Sequence, residues 1–125
     1  MLTDAGIALT GFLALAIISM GARYLFDPQS AAAGFGIPGE LEKHHDSPPW
    51  LAVKGARDVA IGVALTVLLI TGAHQQLGYL MLAISLIPIA DGAIVLSANG
   101  PKTIAYAVHW GTATLILLGG ALLIV

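Results

Sequence analysis

LGYLMLAISLIPIADGAIVL, residues 77–96, contains a single ionisable side chain, Asp91. A helix needs about 20 mainly apolar residues to cross the hydrocarbon of a bilayer, and only helices or closed barrels satisfy every backbone group there. The run lacks the alternation of a barrel strand, so it reads as a membrane-crossing helix. Three other stretches read the same way, which places spans at about 4–26, 50–71, 77–96 and 103–125. The connections around 72–76 and 97–102 are short, so successive helices must run antiparallel. The expected fold class is all-α: an integral membrane four-helix bundle in up-down order, one domain over residues 1–125.

Composition agrees with that reading. Hydrophobic residues make up 58% of the chain and Asp, Glu, Lys and Arg only 10%, against about 25% charged residues in soluble domains. Too few polar side chains exist to cover a soluble surface. The 15 glycines suit close helix approach in lipid. No cysteine is present, which excludes a disulfide framework and thiolate metal or redox sites. The N-terminal MLTDAG has an acid where a secretory signal has a basic region, so the first apolar run is expected to be retained as a helix.

The long connection, 27–49, opens with Asp27-Pro28, a suitable N-cap and first helical residue, followed by Ser30-Ala31-Ala32-Ala33. A short interfacial helix is expected there, and the following GELEKHHDSPP should lie in water. Asn99-Gly100-Pro101 marks the stop and restart between the last two spans. Arg23, Lys43, Lys54, Arg57 and Lys102 are all the basic residues of the chain, and all fall on the face shared by the long loop and the last turn. The excess of positive charge on cytoplasmic loops then puts the long loop in the cytoplasm and both termini outside a plasma (inner) membrane.

Ionisable residues within spans are costly, about 2.5–3.5 kcal/mol each at mid-helix, so their positions are informative. Asp58 lies eight residues after Trp50, Asp91 eight before Asn99, and His109 seven after Lys102. With a rise of 1.5 Å per residue, all three sit roughly 10–12 Å below the same face. Lys54, Arg57 and Asp58 share an arc of roughly 100° that must face the bundle interior. Ala52, Ala56, Ala60 and Ala64 form a separate small-residue stripe that predicts close helix contact, with Gly55 and Gly62 helping. Arg23 can pair with Asp27 or reach inward beside Tyr24. Pro88 deprives the Ile84 carbonyl of its donor, with Ser85 as the expected local partner, and the kink should widen the bundle near Asp91. Trp110, next to His109, either lines the cleft or faces lipid.

Two function classes follow. In the first, Lys54 with Asp58 and Arg57 with Asp91 neutralise one another and pin the helices, as in an accessory or transporter subunit. In the second, a one-sided pocket binds a lipophilic small molecule and acts on it by acid/base chemistry, such as isomerisation, cyclisation or epoxide opening. The catalytic candidates are Asp58 and Asp91 as the acid/base pair, His109 as proton relay and Arg57 holding charge. The ligand-binding candidates are Lys54, Tyr24, Arg23, Ser85 and Trp110. A proton or ion path is a third option, disfavoured by the apolar opposite half. His44-His45-Asp46 reads as a solvated loop rather than a metal site, and His74 as a polar helix end. No cofactor motif and no nucleic-acid patch occurs, so the expected partners are the bilayer, a lipophilic molecule and further copies of the chain in a homo-oligomer.

Four motifs carry a family resemblance: AAAGFGIP (31–38), VKGARDVAIG (53–62), IPIADGAIV (87–95) and AVHWGTAT (107–114). Together they resemble a family of small DoxX-like four-helix membrane proteins, mostly domains of unknown function. The likeness covers nearly the whole chain. It implies that Lys54, Gly55, Arg57, Asp58, Gly62, Pro88, Asp91 and His109 occupy the family's motif positions, and it implies no particular reaction.

Overall fold

The structure, a computed structural model, describes residues 1–39 and 49–125. Lys43, the His44-His45-Asp46 patch and most of the expected polar loop lie outside the described residues. All regular structure among the described residues is helical: α1 (Leu2–Phe26), α2 (Pro28–Phe35), α3 (Pro49–Ile70), α4 (His74–Ile84), α5 (Leu86–Ser97), a π-helical segment (Ile104–Trp110) and α6 (Gly111–Ile124). Three helical stretches are long and apolar enough to cross a membrane, Leu2–Phe26, His74–Ser97 and Ile104–Ile124. They mark a membrane protein. The 22 residues of α3 match them in length, but α3 carries Lys54, Arg57 and Asp58 close together.

The helix ends follow from local chemistry. Asp27 leaves helical space (φ −141°, ψ 65°) without a side-chain cap bond, and Pro28 starts α2. Gly36 ends α2 in the left-handed region at φ 95°, where a Cβ would be strained. At the end of α5, Asn99 adopts φ 56°, the Asn99 N–H donates to the Leu96 carbonyl and the Gly100 N–H to that of Val95. This reciprocal closure explains why Asn-Gly stops the helix. Between α4 and α5 the helix breaks at Ser85, one turn before Pro88. The Ser85 hydroxyl donates to the Leu82 carbonyl at 2.7 Å, so it does not serve the Ile84 carbonyl as expected. A serine reaches back along its own helix to the preceding turn, which is where Leu82 lies.

Lipid tails are as apolar as the side chains, so helices associate by close packing. The most extensive contact joins α1 and α3. A Cβ on Gly21 would lie 2.7 Å from the Gly55 carbonyl oxygen, and one on Gly62 would lie 2.9 Å from that of Ala14. This overturns the expected alanine stripe: Ala52, Ala56, Ala60 and Ala64 are exposed, and the buried face of α3 is Leu51, Gly55, Asp58, Gly62 and Leu65. Glycine wins because these backbones approach closer than any methyl allows. Elsewhere Gly6 meets Leu122, Gly78 meets Gly120, and Gly92 lies under the Trp110 indole. The main apolar core gathers Leu13, Leu65, Leu77, Met81, Ile116 and Leu123. A smaller cluster at the other end holds Tyr24, Ala31, Ala32 and Leu51, with Phe35 packed against it.

Candidate functional site

Between these two clusters lies a cavity of about 400 Å³, within the usual range for small-molecule sites. Its deep part is apolar, walled by residues such as Phe12, Ile61, Leu65, Met81 and Ile116, while Arg23, Tyr24, Lys54, Asp58, Asp91 and His109 supply the polar groups. Each comes from a helix held in place by the glycine contacts. Gly21 and Gly55 bring the Tyr24 turn of α1 against the Lys54–Asp58 turn of α3, and Gly92 under Trp110 brings the Asp91 turn against that of His109.

Lys54 Nζ lies 2.9 Å from Asp58 Oδ2, an i,i+4 pair whose carboxylate is buried. The same ammonium stands 5.0 Å from the centre of the Tyr24 ring and 5.4 Å from that of Phe35, close enough for cation–π attraction to both. An ammonium has three donors, and Asp58 takes one. Lys54 therefore has donors left for an oxygen in the cavity.

His109 is fixed from both sides. Its Nε2 donates to the Phe35 carbonyl at 2.9 Å, and the Phe35 ring meets it edge-on with centroids 4.6 Å apart. A carbonyl can only accept, so the proton sits on Nε2, and in the neutral ring Nδ1 presents a lone pair. That nitrogen is 4.0 Å from Asp91 Oδ2. The gap is too long for a direct hydrogen bond and leaves room for a bridging atom. Phe35 is the last residue of α2, whose carbonyl has no partner within the helix, and His109 supplies it.

Six of the sequence-selected residues thus line one cavity, and three do not. Arg57 is exposed, and among the described residues it forms no ion pair with Asp91 or any other carboxylate. Adjacent helical residues diverge by about 100°, so with Asp58 on the packed face Arg57 turns outward. Ser85 is committed to the Leu82 carbonyl. Trp110 donates to the Ile89 carbonyl at 3.1 Å and meets Tyr106 edge-on, bracing α5 rather than lining the cavity. Arg23 makes no ion pair with Asp27; it lines the cavity instead. Sequence reasoning missed Phe35 and also Ser30 and Thr112, two lining hydroxyls. The Thr112 hydroxyl donates to the Val108 carbonyl at 2.6 Å. Among the described residues no three His, Asp or Glu side chains group as metal ligands would.

Comparison with known proteins places the chain in a family. The family described as Domain of unknown function (DUF4267) covers residues 14–123. No curated protein and no solved structure matches the chain.

Proposed function

We propose, for a chain that belongs to the DUF4267 family and takes no assigned chemistry from it, that it binds a lipophilic small molecule in this cavity and transforms it by acid/base chemistry. Within that reading the helices form a four-span antiparallel bundle with DoxX-like character, α3 being the second span. The long-loop face is cytoplasmic and both termini lie outside the plasma membrane. The positive-charge asymmetry supports this orientation.

The observation that carries the function is the 4.0 Å gap between His109 Nδ1 and Asp91 Oδ2 at the polar end of an apolar cavity. A lone pair on one side and a carboxylic acid on the other can withdraw a proton from a bound molecule and return one to it. Lys54, held by Asp58, donates to a substrate oxygen on which charge develops. The mainly apolar lining lowers the local dielectric, which strengthens each of these interactions. Isomerisation of a double bond, cyclisation and epoxide opening all use this set. Arg57, outside the cavity, has no part in it.

The 2.9 Å Lys54–Asp58 pair within α3 favours a second reading, in which the charges are structural and serve only to neutralise one another in an apolar interior. Purified protein, extracted and assayed by mass spectrometry, separates the two. Wild-type protein should carry an enriched lipophile that Asp91→Asn retains in unconverted form, with thermal midpoints in detergent alike. Asp91→Asn protein that unfolds, with no lipophile enriched in the wild type, would establish the structural reading instead.

A further inference from the structure

Among the charged groups lining the cavity, Asp91 faces His109, 4.0 Å from its Nδ1. Arg23, Lys54 and Asp58 then remain, and the last two neutralise each other at 2.9 Å. Arg23 is left. Its side chain is exposed and borders the cavity, and no carboxylate among the described residues stands within ion-pair distance of it. Ser30, on α2, adds an exposed hydroxyl to the same lining.

A guanidinium presents a planar fork of donors that fits carboxylate and phosphate oxygens in pairs. From Arg23 the lining continues along α1 through Met20 and Ala16 to Phe12. That is eleven residue steps, about 16 Å of helix, apolar from Met20 to Phe12 on this face. Among the described residues, one end of the cavity thus offers a cation with no carboxylate at ion-pair distance, and the other end a long apolar wall.

We propose that the ligand is a single-chain amphiphile whose anionic head, a carboxylate or phosphate, is held by Arg23 while its apolar chain fills the deep part. The proposal rests on the acid/base reading of the same site and names its ligand class. It also names where reaction occurs. Arg23 and Tyr24 both line the cavity at neighbouring heights on α1, and the Tyr24 ring lies 5.0 Å from Lys54 Nζ, so the head group sits at the polar end and the carbons nearest it are the candidates for reaction.

Native mass spectrometry of the intact protein from maltoside micelles tests this with an equimolar mixture of decanoate, decyl phosphate and decanol. The two anions should occupy wild-type protein at least about tenfold more than decanol, the scale of one charge-assisted contact. Arg23→Gln should reduce that preference to within about twofold, leaving decanol occupancy and the thermal midpoint unchanged. Dioleoylphosphatidylglycerol that displaces decyl phosphate mole for mole would overturn the single-chain assignment and give the cation to a bilayer lipid. Equal occupancy by all three probes, abolished in the cavity-filling variant Ala16→Trp, would overturn the anionic head while leaving the lipophile cavity intact. Occupancy untouched by Ala16→Trp would remove both.

Discussion

A histidine with one nitrogen bound to a carbonyl has one nitrogen left for chemistry, and His109 spends Nε2 on Phe35. His109→Gln keeps an N–H donor for that carbonyl and removes the base, so thermal stability should hold while turnover of the extracted lipophile stops. His109→Leu leaves the carbonyl unpaired and should lower stability by about 1–3 kcal/mol, read as a drop in unfolding midpoint in detergent. Glycines make a second contrast. Gly21→Ala pushes a methyl to within 2.8 Å of the Val59 nitrogen and should cost about 1–3 kcal/mol, because backbone cannot move aside as a side chain can. Gly34, with open space around it, should accept Ala with a gain of up to about 1 kcal/mol in the same assay. Lys54, Asp58, Asp91 and His109 were legible because charge in an apolar helix requires a reason. Arg57 falls outside the cavity because sequence adjacency is not shared direction on a helix. Phe35 was missed because part of its contribution is a backbone carbonyl, which every residue possesses, and its ring acts only where the fold brings α2 to His109 and Lys54.

Among the elements, α2 has the most consequence for its size. Eight residues long, it begins at a proline, ends at a left-handed glycine and delivers Phe35 to both His109 and Lys54. Gly36→Ala places a methyl 3.0 Å from Ile104 Cγ2 and forces an L-residue into left-handed space, at about 1–2 kcal/mol for the backbone alone. Hydrogen exchange should then accelerate in residues 29–35 while α1 and α3 keep their protection. Faster exchange throughout the chain would mean that α2 is not a separable unit. Asp27-Pro28 announced this helix in the sequence, and Pro88 announced the break in the third span. The π-helical segment carried no such signal, for Ile104–Trp110 contains neither glycine nor proline. Its wider turns depend on what packs beside it, where Trp110 crosses Gly92 and Ile104 meets Gly36. Tertiary contact of that kind leaves no local pattern to read.

At the scale of the whole molecule, three stretches qualify as spans on apolarity, and the fourth span rests on α3. Single cysteines at Gln75 and Lys102, both exposed, should react with an impermeant thiol reagent from opposite sides of sealed vesicles. Reaction from the same side would show that α3–α5 do not place those turns on opposite faces, and the four-span proposal would fail. Helix limits were legible to within a few residues because hydropathy sums over twenty positions, so no single side chain decides it. Helix partnering was less so, since alanine and glycine look alike until backbones must touch. The main apolar core has a further consequence. Leu13, Leu65, Leu77, Met81, Ile116 and Leu123 close the end of the molecule away from the charged groups, and the Thr10 hydroxyl buried beside them is turned onto the Met81 sulfur at 3.1 Å. No chain of titratable groups crosses that layer among the described residues. In a membrane that stores energy as a proton gradient, a protein with acid and base inside it risks becoming a leak. In the proposed four-span arrangement, this core is the electrical insulation that leaves the Asp91–His109 pair in exchange with one compartment and disconnected from the other.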